Sequence, residues 1–250
     1  MKRMKSVLCI LLAAALLLLG GCAAQTPLIA DTAKPPVTPT KAASVAEAEV
    51  GQVVELGHYE QDNNIQNDEE PILWLIIHKE ENRALAVSLY GLDNRPYHDK
   101  NVQSVTWGDS SLRTWLNDTF YNTVFGDAEK ALILETELEN PANTVTDIAG
   151  GEKTTDRLFV LSIGEVNQHL PNTHDTATSA YRAVWPTDYA VAQGAFQNYD
   201  TGNSYGWLRA PGRTASMVAR MSVDGEIDFG GSSAYYDACA VRPAMWLTLS

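Results

Sequence analysis

The sequence predicts an α+β domain, on three observations. Amphipathic helical segments concentrate in the first half of the globular region. Short alternating strands punctuated by glycine-containing turns fill the second half as an antiparallel meander. No internal repeat is present. Together these point to first-half helices packed on a twisted antiparallel sheet that the C-terminal strands complete.

The elements follow in order. G-Q-V-V-E-L-G (51–57) opens with a strand. I-L-W-L-I-I-H (72–78) and R-A-L-A-V-S-L-Y (83–90), split by the polar K-E-E-N, read as a hairpin. Between the first strand and this hairpin lies a polar excursion, Q-D-N-N-I-Q-N-D-E-E. Asp62, Asn63 and Asn64 with Asn67, Asp68, Glu69 and Glu70 are oxygen ligands of the kind calcium takes, but their spacing does not follow an EF-hand loop, so a solvated turn is expected. Residues 109–125 form the strongest helix: Asp109 or Ser110 can cap it, and Leu112, Trp115, Leu116, Phe120 and Val124 share one face.

A second helix is expected over 127–134 and a short buried strand over 158–161. S-I-G-E (162–165) is a capping-box pattern opening a further helix. D-Y-A-V-A-Q-G-A (188–195) reads as a helix that Gly194 weakens. Strands follow at 207–209 and 216–222. The pair Asp224-Gly225 signals a hairpin turn, with 227–229 returning, and residues 240–249 read as one last strand.

The N-terminus carries an address rather than a fold. Lys2, Arg3 and Lys5 precede an apolar run at 7–19, too short to span a bilayer, and L-G-G-C closes it at Cys22. That ending resembles the bacterial lipobox, which implies removal of residues 1–21 and lipidation of Cys22. Multiple acyl chains on one cysteine give stable anchoring, at roughly 0.8 kcal/mol per buried CH₂. Residues 22–48, rich in Ala, Thr and Pro and free of aromatics, read as a flexible tether. Residues 49–250 then form a single globular domain held outside the cytoplasm at the bacterial cell membrane.

Loss of the three basic residues of the leader takes the formal net charge from −13 to −16. So acidic a chain is not expected to bind nucleic acid. Of the three cysteines, Cys9 leaves with the leader and Cys22 takes lipid. Only Cys239 stays, which excludes an internal disulfide and reads as a small buried hydrophobe. The histidines (His58, His78, His98, His169, His174) show no zinc-motif spacing, and no G-x-S-x-G is present. No cofactor, metal or catalytic constellation is expected.

Ordered landmarks then place the chain by resemblance. They are G-x-x-x-x-x-G-x-Y-x-Q-D (51–62), E-P-I-x-W-L (70–75), Y-G-L-D with P-Y (90–97) and V-T-W with S-x-L-R-T-W-L-N (105–117). P-T-D-Y-A-x-A-Q-G-A (186–195), W-L-R-A-P-G (207–212) and V-R-P-A-M-W-L (241–247) complete the series. This series resembles the bacterial surface family called domain of unknown function 6273. The closing strands are more weakly similar to the C-type-lectin-like fold used by formylglycine-generating and related domains, which implies that scaffold. Cysteine–copper chemistry does not carry over, because Cys239 has no partner. Calcium-dependent sugar binding does not either, because E-P-N, Q-P-D and W-N-D triplets are absent.

Two sets of residues stand out. Trp207, Arg209, Arg242 and Trp246 are expected to be structural anchors, the arginines pairing with an internal acid such as Asp188 or Asp200. A carboxylate- or phosphate-binding fork is the other reading of the two arginines. Tyr235, Tyr236 and Asp237 in a Gly/Ser-rich loop, with Tyr199 and Tyr205, offer amphipathic contact area for a ligand. In lectin-like folds this region forms part of the ligand face. The expected function is a non-catalytic, lipid-anchored module recognising glycan or protein. An enzyme on an altered formylglycine-generating scaffold and an envelope spacer are the alternatives.

Overall fold

A computed structural model describes residues 38–173 and 178–250. Cys22, the leader, most of the tether and His174 lie outside the described residues. Among the described residues, no helix is long and apolar enough to cross a membrane.

The fold is mixed α+β, dominated by two five-stranded sheets. β1 (Val53–Tyr59), β2 (Glu70–Lys79) and β3 (Arg83–Ser88) form a meander. Their sheet continues through β12 (Ala244–Thr248) to β5 (Ile133–Leu134), with every neighbour antiparallel. The second sheet runs β10 (Ile227–Ser233), β9 (Met217–Met221), β8 (Tyr205–Pro211), β11 (Cys239–Val241) and β4 (Asp93–Asn94). Among the described strand pairs of the two sheets, only β8–β11 is parallel. A two-stranded ribbon, β6 (Thr136–Leu138) with β7 (Thr154–Asp156), stands apart.

The 72–90 hairpin forms as its sequence indicates, and the apolar run in β2 is buried on both faces from Leu75 to Ile77. Trp74 is fully buried and its indole N–H donates to the Leu56 carbonyl at 2.8 Å, so no polar atom is stranded. β1 bends at Gly57, where the register slips. Its φ is +71°, and a Cβ there would stand 2.6 Å from Val124.

Helices are not confined to the first half. α1 (Ser111–Trp115), a π-helical turn (Leu116–Phe120) and α2 (Tyr121–Val124) make one continuous segment capped by Ser110. α3 (Asp127–Lys130) stops early because Ile133 and Leu134 pair with β12 instead of continuing the helix. α4 (Ile163–His169) has the expected box: Ser162 Oγ accepts from Glu165 N, and Glu165 accepts from Ser162 N at 2.7 Å. α5 (Asp188–Ala192) is capped by Thr187.

Two strand expectations need correction. Residues 158–161 are buried and extended but join no sheet beyond a bridge from Phe159 to Ala244. Their carbonyls are satisfied by Asn117, Arg209 and the Arg209 amide instead. The last strand is also split: Arg242-Pro243 ends β11 in one sheet and lets β12 enter the other. Packing begins upstream of residue 49, since Val45 and Ala48 are buried in the core and Lys41 bridges Val53.

Candidate functional site

The outer part of the second sheet gathers four planar groups. Arg220 on β9 lies opposite Trp207 on β8 and Asp228 on β10. Its Nε donates to Asp228 Oδ2 at 3.1 Å, which fixes the guanidinium plane. That plane sits 3.9 Å from the Tyr205 ring centre and 5.8 Å from that of Tyr236. Tyr205 in turn stacks on Phe196, with centroids 5.2 Å apart and planes 30° from parallel. Phe196 follows α5 and is exposed. The outcome is a row of Phe196, Tyr205, Arg220 and Tyr236, each held by its neighbour.

The structure therefore unites Tyr205 and Tyr236, both half-buried. Tyr235 is 53% exposed on the same loop and Tyr199 is 93% exposed; neither joins these ring contacts. Asp237 is exposed, and its carbonyl accepts from Asn94, tying the loop to β4. The loop itself is shorter than expected, because β10 runs on through Ser233. Arg220 and Phe196 escaped sequence reasoning. The signal for Arg220 was there: a turn centred on Asp224-Gly225 sets residues 220 and 228 opposite each other with opposite charges.

The expected anchors lie inside. Trp207 is 2% exposed and donates to the Arg95 carbonyl at 2.9 Å. Trp246 is buried under Arg83, whose guanidinium lies 4.1 Å from its ring centre. Arg209 makes a two-pronged pair with Glu165, at 2.5 and 2.9 Å, and not with Asp188 or Asp200. Arg242 has no carboxylate partner among the described residues; it donates to the Ser88 and Tyr181 carbonyls.

Two further places could take a ligand. An open groove of about 360 Å³ has the Arg209–Glu165 pair and Trp246 among its walls. Glu137 and Glu139 also line it, and Lys153 bridges them. In the polar turn after β1, oxygens of Glu60, Asp62 and Glu70 come within 4.8 Å of one another. Glu70 there accepts from the amides of Gln61 and Asp62, and Asp62 accepts from the Asn64 amide. These carboxylates thus shape the turn, and three side-chain ligands fall short of the six to eight oxygens calcium takes.

Cys239 is fully buried, and burial pushes its thiol up to about 12, a rise that the nearby Arg220 only partly offsets. A thiolate is the nucleophile in cysteine chemistry, so this group is inert at neutral pH. We expect no labelling of Cys239 by a disulfide reagent at pH 8 in the native protein and full labelling in guanidinium. Fast native labelling would contradict its burial.

The family model for Domain of unknown function (DUF6273) matches residues 75–249. The first landmark, at 51–62, precedes the match, and E-P-I-x-W-L ends at its first residue. No curated protein and no solved structure matches the chain.

Proposed function

The chain belongs to the DUF6273 family, and from its site we propose a non-catalytic, extracytoplasmic module that binds glycan on the face built by Tyr205, Arg220 and Tyr236. The observation that carries the reading is the mutual fixing of these groups. Sugars present an apolar C–H face and a rim of hydroxyls. The rings at the ends of the row, Phe196 and Tyr236, are held by Tyr205 and Arg220 and can receive that face with little loss of side-chain entropy, while the phenol and guanidinium groups serve the hydroxyls. A tyrosine-rich, glycine-rich surface suits such contacts. The lipobox-like L-G-G-C supports anchoring through Cys22, with the following residues as the tether.

We take the scaffold to be C-type-lectin-like. Its support is the order of the closing elements: a tryptophan-bearing strand, the Asp224-Gly225 hairpin, a Gly/Ser loop and an R-P strand. The enzyme alternative loses its nucleophile with the burial of Cys239. The spacer alternative leaves the arginine–tyrosine row without a purpose.

An array of bacterial cell-wall and host polysaccharides tests the proposal. Tyr205→Ala and Tyr236→Ala should each weaken the retained glycan at least tenfold, about 1.4 kcal/mol, with small change in Tm. Tyr199→Ala, far out in solvent, should leave binding intact. Retention of no glycan, or equal affinity in all three variants, would overturn it.

A further inference from the structure

Among the described residues, two arginines are buried without an ion-pair partner. Arg242, between β11 and β12, is 6% exposed, and Arg182, after the short 3-10 turn Ser179–Tyr181, is 7% exposed. The partners of Arg242 are neutral carbonyls: Ser88 at 2.9 Å from Nε, with Tyr181 and Ala183 at 2.8 and 3.4 Å from Nη1. Arg182 donates Nε to the Gly225 carbonyl at 2.6 Å and Nη1 to that of Leu170. Arg209, the other buried arginine, differs in holding Glu165. Among the described residues neither Arg182 nor Arg242 forms an ion pair. Glu226 acts on Arg182 only at longer range and is itself bound by Asn172.

These two side chains line one cavity of about 20 Å³, together with Val87, Val184, Trp207 and Met221. Arg242 Nη2 is fully buried and has no hydrogen-bond partner among the described residues. Burial lowers the Arg242 guanidinium to about 10, which still leaves it charged at neutral pH. A buried cation without compensation costs several kcal/mol, and carbonyl dipoles offset only part of that.

We propose that this cavity is an anion site that holds one chloride-sized monovalent ion between Arg242 and Arg182. Size selects the class: a cavity of about 20 Å³ admits an occupant little larger than water, so phosphate, sulfate and carboxylates are excluded. Charge selects it over water, which would fill the Nη2 donor but leave the positive charge uncompensated. The ion is structural. It fastens the corner where β11 hands over to β12 to the segment that follows α4.

The purified protein is tested in two ways. Thermal unfolding is followed in sodium chloride, bromide and gluconate at equal ionic strength. Tm should rise by about 3 °C once halide is roughly tenfold above its dissociation constant, while gluconate has no such effect. Crystals grown in bromide should show one anomalous peak within hydrogen-bonding distance of Arg242. Arg242→Gln should abolish the halide dependence. If that variant fails to fold, Arg182→Gln and the wild-type bromide peak still decide. A cavity holding water alone, with a Tm indifferent to halide, would overturn the proposal.

Discussion

Arg209→Met is expected to cost roughly 3–5 kcal/mol, lowering Tm by about 10 °C, because it strands a carboxylate that the fold has desolvated. The Arg209 side chain is 3% exposed and that of Glu165 is 21% exposed. Glu165 also closes the cap of α4, so helix and strand are fastened through one carboxyl group. Burial alone would raise the Glu165 carboxyl. Arg209 and the Ser162 groups outweigh it and hold the carboxyl below its ordinary value. The unfolded state therefore binds the proton more readily than the folded state. The stabilisation is full above the ordinary glutamate range and falls away as pH drops through the lower folded value. Denaturant titrations at pH 7 and pH 3 should show the gap between wild type and Arg209→Met narrowing at the lower pH. Replacing both partners with apolar residues should recover much of the loss, since most of it comes from the unpaired charge. A single replacement costing under 1 kcal/mol would show that water reaches the pair.

Gly231→Ala should cost about 4 kcal/mol, at the severe end for a single methyl group. Gly231 sits at φ +62°, and a Cβ would fall 1.8 Å from the Val218 carbonyl oxygen. The register between β9 and β10 slips across this point, so the strand crosses close against its neighbour where side chains cannot fit. Relief requires parting β9 from β10, and that displaces Arg220 from Asp228. Stability and glycan binding should therefore fall together. Gly230→Ala is the control: its nearest neighbour would be Asp228 Oδ1 at 3.5 Å, an ordinary contact. Equal midpoints for the two variants in urea would rule out the clash.

Local signals made part of this molecule legible. The β2–β3 hairpin, the Ser162–Glu165 box and the Asp224-Gly225 turn each carry their cause within a few residues. Errors arose where partners are distant. The run at 240–249 is apolar apart from Arg242 and Thr248, and only the Arg242-Pro243 step, where proline lacks an N–H, hints that it divides. Residues 158–161 have strand composition, yet Asn117 and Arg209 satisfy their carbonyls. Trp115 packs on the core face as its spacing indicates, with its ring centre 5.0 Å from that of Phe120, but it stays half-buried with Arg95 4.1 Å over it. In the site, tyrosines showed their chemistry by type, whereas the choice of Tyr205 and Tyr236 over Tyr199 depended on where Arg220 lies.

The division at Arg242-Pro243 also makes one short segment responsible for closing both sheets. β12 lies between β3 and β5, and β11 between β8 and β4. Both sheets thus lack an internal strand until residues 239–248 add to them. Until then β3 and β8 each carry an unpaired edge, open to association with other chains. One ten-residue segment thus closes both sheets, and a chain truncated before Cys239 is expected to aggregate rather than form a smaller domain.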